Sequence, residues 1–485
     1  MTINYRVIAN VLGLLLLFNG IFMVICIPAS IYYHIEDFVP MAFSATATLG
    51  LGMITWALTR SNEKPNIKKR EGFLIVSLGW VVMSLSGTLP DIMSGSVTSF
   101  TDAFFETMSG YTTTGASVIS DLQVVPKDIL LWRSMTQWIG GMGIIVLAVA
   151  ILPVLGIGGM QLFVAESPGL KPDKLAPKIR DTAKRLWLVY VGLTVVEFLL
   201  LKLAGMSWFI ALNHALTTMA TGGFSTYNSS AAEFSPAIQY IIIVFMFLAG
   251  TSFTLTFFGL TGQVKKIAKN EEFRFYAGIV ALLSVASTIV VASVDNNGVE
   301  KAFRDSLFQV VSLITSTGFV SADYTSWTPF MSILFFMLLF IGGSAGSTAG
   351  GVKVVRHIIL FKNSFLELKR QLHPSAIIPV RLNGRAIDES ITYNVVAFII
   401  MYILIFALGS IVMTMFGVDF DTALGSVATS LGNVGPGIGD VGPVDNFAWL
   451  SSGAKWFLAI LMLIGRLELF TVLILFTPYF WRKQG

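Results

Sequence analysis

Residues 104–117 read FFETMSGYTTTGAS, and the design returns three times: ALNHALTTMATGGFS at 211–225, LFQVVSLITSTGFVS at 307–321 and LGSVATSLGNVGPGIG at 424–439. Each stretch is amphiphilic and closes on small residues and a glycine. A helix needs about 20 residues to cross a bilayer core about 30 Å thick, so these stretches are too short to span and suit re-entrant segments. Superposed on Gly115, Gly222, Gly318 and Gly435, the four align without a gap over the preceding ten residues, at spacings of 107, 96 and 117. The position nine before each glycine is polar in every copy: Glu106, Asn213, Gln309 and Ser426. The chain therefore reads as a unit of helix, short re-entrant helix, glycine turn and helix, repeated four times. The alternative is four ordinary loops with turn glycines. Non-helical backbone inside a membrane is tolerated only where protein buries it or it lines a water-filled cavity, and four equivalent copies imply a pseudo-fourfold axis with that cavity at its centre.

The flanking sequence agrees. Of 485 residues, 54% are hydrophobic and 12% charged, about half the usual charged share of a soluble protein. So few charges exclude a soluble globular fold and predict an all-α polytopic membrane protein. Ten apolar runs qualify as spans, at 7–30, 39–59, 72–94, 133–157, 186–205, 237–261, 275–295, 329–360, 391–417 and 453–480. The first is too long for a usual signal peptide and is preceded only by Arg6, which makes it a retained helix. Alternate loops 60–71, 158–185, 262–274 and 353–389 hold 22 Lys and Arg, against Lys127, Lys301 and Arg304 in the others. The positive-inside rule then places the basic loops and both termini in the cytoplasm. Residues 1–70 supply two extra helices, and the repeats occupy 71–160, 161–262, 263–360 and 361–485.

The net charge is +4 and the pI near 9.0, but membrane orientation accounts for those basic residues, so the expected partner is membrane lipid and not nucleic acid. Cys26 is the single cysteine, and His34, His214, His357 and His373 are scattered without an HExxH motif. An intrachain disulfide is excluded and a structural metal site is not expected. Gly437-Ile438-Gly439-Asp440-Val441-Gly442 matches the dinucleotide fingerprint but lacks a preceding strand, and no GxxxxGK[ST] occurs. The expectation is no enzyme and no cofactor bound by this chain.

The turns Thr113-Thr114-Gly115, Ala220-Thr221-Gly222, Ser316-Thr317-Gly318 and Asn433-Val434-Gly435 are the candidate filter. A ring of backbone carbonyls can replace the hydration shell of a cation, and glycine leaves the backbone free to turn successive carbonyls to one side. Short helices aiming their negative C-terminal ends at the cavity favour a cation over an anion. The transported species is expected to be a monovalent cation. Secondary transporters also use repeats and broken helices, but commonly with inverted topology, whereas these four repeats all enter from one side. An ion-coupled transporter of another cation or small solute is the alternative, and a receptor without conduction would not need four such turns.

Span 8 is interrupted by Gly342-Gly343-Ser344-Ala345-Gly346-Ser347-Thr348-Ala349-Gly350-Gly351, five glycines in ten residues. Each costs about 1 kcal/mol against alanine in a helix interior, so this stretch is expected to unwind. Small-residue helix packing is the alternative reading. Arg466 lies near the middle of span 10, two residues before Glu468. A charge there needs a partner or an aqueous cavity, and residues two apart on a helix do not face each other. The reading is that Arg466 points into the cavity below the turns, with an ion pair to Glu468 as the alternative.

The motifs TTTGAS, TGGFS, TSTGF and GNVGPG, the glycine-rich break and the GRLELF segment resemble the Trk/Ktr/HKT superfamily over essentially the whole chain. The resemblance implies potassium uptake through a single-chain pore in the bacterial inner membrane, with potassium as substrate. It implies a homodimer bound on its cytoplasmic face by a ring of a nucleotide-binding regulator resembling TrkA. In that superfamily a serine at the first filter glycine tends to accompany sodium permeability; all four positions here are glycine, which favours potassium. The fourth turn, Asn433-Val434-Gly435-Pro436, departs from a threonine-glycine pattern. The resemblance also makes Gly342 to Gly351 the gate, contacted by Arg466. The basic segment from His357 to Arg385 is expected to help dock the regulator.

Overall fold

The computed structural model of the chain describes residues 3–33, 38–61, 68–151, 179–294, 298–373, 376 and 378–482. The end of span 4, most of the basic loop 158–185 and the expected boundary at 160/161 lie outside the described residues.

Helices Tyr5–Tyr32 and Val39–Thr59 pack tightly on each other. A Cβ on Gly13 would lie 2.8 Å from the Trp56 nitrogen and one on Gly52 2.8 Å from the Leu17 nitrogen, the close approach that small residues permit between membrane helices. This pair docks on the first repeat through polar contacts buried in apolar surroundings. Asn19 Nδ2 donates to Ser86 Oγ at 2.8 Å, Tyr111 donates to Asn19 Oδ1 at 2.5 Å, and Ser30 donates to Asp128 Oδ2 at 2.7 Å.

Four repeats follow. Their leading helices are Lys69–Met93, Ile179–Leu203, Glu271–Val294 and Glu389–Met415. Their short helices are Phe100–Tyr111, Trp208–Met219, Val299–Ile314 and Phe420–Gly432. The short helices form the core of the molecule: Ala103 to Tyr111, Asn213 to Ala220, Phe308 to Val320 and Gly425 to Gly435 are continuously buried. That burial explains why their amphiphilic sequences still hold as helices in a membrane protein, since packing and not propensity stabilises so short a helix.

The trailing helices depart from the sequence expectation of one broken span. In the first repeat, Lys127–Ile151 is kinked at Gly143, with φ 64° and ψ 167°. In the second, Pro236–Ala249 and Phe253–Leu260 meet at 110°, and in the fourth, Ser452–Arg466 and Phe470–Phe476 meet at 111°. In the third, Pro329–Leu338 ends in irregular backbone that becomes helical again only at Val354–Leu372. All four trailing helices break about midway. Accordingly, the ten runs do not give ten straight spans: among the described residues six helices are long and apolar enough to cross a membrane, or up to eight if each bent pair counts as one.

Residues 357–385, expected as a basic loop, contain regular structure. The helix continues to Leu372, and Arg381–Leu382 pairs antiparallel with Arg385–Ala386 around Asn383-Gly384. Both turn residues have positive φ, 50° and 75°, the type I′ geometry that Asn-Gly favours.

Candidate functional site

Each short helix ends in the same backbone motif. In the first, the Thr113 N–H donates to the Gly110 carbonyl at 2.9 Å and the Thr114 N–H to the Ser109 carbonyl at 2.8 Å. The same pair of bonds recurs at Thr221 and Gly222, Ser316 and Thr317, and Asn433 and Val434. This is a Schellman ending, which requires a left-handed residue. Here that residue is Thr113, Thr221, Ser316 or Asn433, with φ between 51° and 52°. The left-handed region is unfavourable for threonine above all, because it is β-branched, and such strain persists only where the surroundings enforce it.

Two residues after each strained position stands a second positive-φ residue: Gly115 at 82°, Gly223 at 77°, Gly318 at 80° and Gly435 at 100°. The structural repeat therefore places Gly223, not Gly222, in register with the other three glycines. Ala220, with φ −72°, caps the short helix and matches Thr112 and Thr315. The shift carries to the position nine residues earlier, where His214 replaces Asn213. His214 Nε2 bonds Ser225 Oγ at 3.1 Å, eleven residues on, as Glu106 bonds Ser117 Oγ at 3.0 Å eleven residues on. The consecutive glycines of TGGFS allowed either alignment, and only the backbone angles separate them.

The four glycines close a ring. A Cβ on Gly115 would overlap the Gly222 carbonyl, one on Gly223 the Thr317 carbonyl, one on Gly318 the Val434 carbonyl, and one on Gly435 the Thr114 carbonyl. Every one of these contacts is under 3.0 Å, closer than a real Cβ comes. The order runs from repeat one to two, three, four and back to one. Glycine is thus required twice over, by its positive φ and by the neighbouring carbonyl.

Against this ring lies the loop at Gly342 to Gly351. The Gly350 N–H donates to Ser316 Oγ at 2.5 Å, and a Cβ on Gly350 would overlap the Gly432 carbonyl. Gly346 and Gly351 have φ of 75° and 63°, so the stretch is unwound and not a helical packing seam. Thr348 ties the loop to the other repeats. Its hydroxyl donates to the Met219 carbonyl at 3.0 Å, and its own carbonyl accepts from Arg466 Nη1 at 2.8 Å. Arg466 Nη2 also donates to the Gly140 and Gly141 carbonyls at 2.6 and 3.0 Å. The guanidinium therefore joins the loop to the first repeat at the kinked trailing helix.

Glu468 is not the partner of Arg466. It accepts from Arg356 Nη2 at 2.5 Å, and Arg356 sits over the Phe398 ring, 3.9 Å from its centroid. The bend explains the change: Glu468 and Leu469 have φ of 55° and 54°, so the chain leaves the helix and turns Glu468 toward the segment after the loop. Two further attachments escaped the sequence reading. Glu272 accepts from the Ala345 N–H at 2.6 Å, and the Lys353 ammonium donates to the Ala349 carbonyl. Glu272 stands just before an apolar run and Lys353 opens the basic loop 353–389, where both read as ordinary boundary charges.

A ring of four re-entrant turns at the centre of a helical membrane protein, with an unwound intramembrane loop held against it, defines a protein of the pore-loop class. The chain belongs to the TrkH family of cation transport proteins, whose family model matches residues 41–483. It is 45% identical over 490 residues to the Trk system potassium uptake protein TrkH of Salmonella typhimurium, covering 99% of this chain and 100% of that protein. It is 33% identical over 487 residues to the Trk system potassium uptake protein TrkG of Escherichia coli K12, covering 99% and 100%. The crystal structure of the potassium transporter TrkH from Vibrio parahaemolyticus superposes with a TM-score of 0.89 at 40% identity, covering 99% of this chain and 100% of that one.

Proposed function

We propose that this chain carries potassium into the bacterial cell across the inner membrane, through a filter formed by the four turns and gated by the loop at Gly342 to Gly351. The closed ring of glycine-to-carbonyl contacts carries the reading. It supports a site whose size is set by backbone packed against backbone, so carbonyl oxygens from Thr113 to Gly115, Thr221 to Gly223, Ser316 to Gly318 and Asn433 to Gly435 can replace the water of a dehydrated potassium ion. Ala220 leaves the filter in this register. Four helix C-termini, each equivalent to roughly half a negative charge, add a field that favours a cation.

In this reading the loop blocks the path on one side of the ring, and Arg466 holds it there while opposing a cation electrostatically. Opening requires Thr348 to release the Arg466 guanidinium or to move with it. The asymmetry of 22 basic residues against three supports a cytoplasmic position for the basic loops and both termini. The relatives named as Trk system proteins support potassium as the substrate. Assembly as a homodimer, control by a nucleotide-binding regulator resembling TrkA, and a division into residues 1–70 and four pore repeats complete the proposal on the strength of family resemblance.

The test is cation flux into liposomes holding the purified chain, comparing potassium with sodium for wild type and Gly115→Ser. The serine Cβ would collide with the Gly222 carbonyl, so potassium preference should fall. Flux indifferent to Gly115, or none at all, would point instead to a coupled transporter or an obligate partner.

A further inference from the structure

The second turn differs from the others at its middle position: Gly222 stands where the first, third and fourth have Thr114, Thr317 and Val434. The place of the missing side chain is filled from another repeat. Gln137, on the trailing helix of the first repeat, is fully buried, and a Cβ on Gly222 would overlap its carboxamide. Nε2 donates to the Gly222 carbonyl at 2.6 Å, and Oε1 accepts from the Phe224 N–H at 3.0 Å. The Phe224 N–H can only donate and the Gly222 oxygen can only accept, so the two bonds fix which way the amide faces.

This clasp is itself anchored. One turn earlier, and therefore on the same helix face, Arg133 pairs with Glu106 at 2.6 Å and lies over the Phe224 ring, 4.2 Å from its centroid. Glu106 accepts from the Val118 N–H at 2.8 Å, just beyond the first turn. A single helical turn thus braces the second turn on both sides of Gly223 and is tied to the first turn as well. The Gly222 carbonyl held by Gln137 is also the one against which Gly115 packs. Any movement of it changes the spacing between the first two turns.

We propose that Gln137 is a positioning residue that determines the ion preference of the ring, a statement that rests on the transport reading above. Preference among cations depends on the size of the carbonyl cage and the freedom of its oxygens to move. A buried side chain that grips one carbonyl and the next N–H restrains both. The bonds of Gln137 run to the second turn and not to the gate loop, so its loss acts on selectivity and not on opening.

The experiment compares potassium with sodium flux in liposomes for wild type, Gln137→Met, Gln137→Glu, Gly222→Thr and the double variant Gln137→Ala/Gly222→Thr. Gln137→Met keeps the length of the side chain without either bond; Gln137→Glu keeps the acceptor for Phe224 but sets an oxygen against the Gly222 carbonyl. Each single Gln137 variant should lower the potassium-to-sodium ratio about tenfold, equivalent to about 1.4 kcal/mol, while total cation flux and monodispersity persist. Gly222→Thr alone should lose flux, because Gln137 occupies the space. The double variant, with a middle side chain like those of the other turns, should regain most of the ratio. A selective wild type with an unchanged ratio in both Gln137→Met and Gln137→Glu would overturn the assignment; if the methionine variant does not fold, the nearly isosteric glutamate decides alone. A wild type without potassium preference would instead overturn the transport reading.

Discussion

Gly222 and Gly223 are neighbours with different duties. Gly222 is glycine because Gln137 fills the space of its side chain, whereas Gly223 has a φ of 77° and lies against the Thr317 carbonyl. An alanine at 223 would have both a left-handed backbone and a clash with backbone that cannot swing aside, so Gly223→Ala should lower potassium flux at least about tenfold, the cost of roughly 1.4 kcal/mol at the ring. Gly192→Ala, with open space around its Cβ, should leave flux unchanged; liposome flux on matched protein amounts checks both. The strained threonines are the complement. Thr113 and Thr221 hold φ of 51° at a cost of roughly 1 to 2 kcal/mol each, which only a tightly packed ring sustains.

The elements around the break of each trailing helix convert those residues into a device. Arg466 donates hydrogen bonds to carbonyls on the loop and on the first repeat. Arg466→Ala, or shortening the stretch Gly342 to Gly351, should therefore raise basal flux in the absence of any partner; flux that is unchanged or lower in a monodisperse variant would remove the gate assignment. The pair Arg356 and Glu468 plays a different part. Its side chains are 5% and 18% exposed, and deleting one partner of a buried pair strands the other charge at a cost of about 3 to 5 kcal/mol. Arg356→Ala should show this as a lower melting temperature in detergent, and Glu468→Gln, which strands the more deeply buried Arg356 charge, should lower it as well.

At the scale of the whole molecule, the ring exists only because four repeats meet, while the basic segment from His357 to Arg385 lies at the junction of the third and fourth. Arg370 in that segment is already engaged: it donates to Glu367 at 3.0 Å and to the Ile378 carbonyl at 2.7 Å, bracing the hairpin. Lys369 is exposed. If this segment docks the regulator, Lys369→Glu should reduce co-purification of the regulator without altering the melting temperature, whereas Arg370→Glu should affect both. Retention of the regulator by both variants would place the docking surface elsewhere.

Composition and periodicity carried the membrane class, the fourfold repeat and the unwinding of the glycine run, because apolar length and local propensity are properties of short stretches of chain. Three of the four turns could be aligned for the same reason, since Gly115, Gly318 and Gly435 each have no adjacent glycine to offer a second register. The second turn could not, because two adjacent glycines satisfy the local pattern equally and the choice between them is made by a carbonyl of another repeat. The bends at 252 and 468 were hidden likewise: GRLELF contains no helix breaker after its first residue, and the left-handed turn at Glu468 and Leu469 accompanies a salt bridge to a residue 112 positions away. Sequence by itself determined what each segment prefers to be. Only the tertiary structure decided which carbonyl faces which glycine, where Glu468 finds its partner and that Gln137 reaches into a neighbouring turn, because those are contacts between distant segments that no local preference encodes.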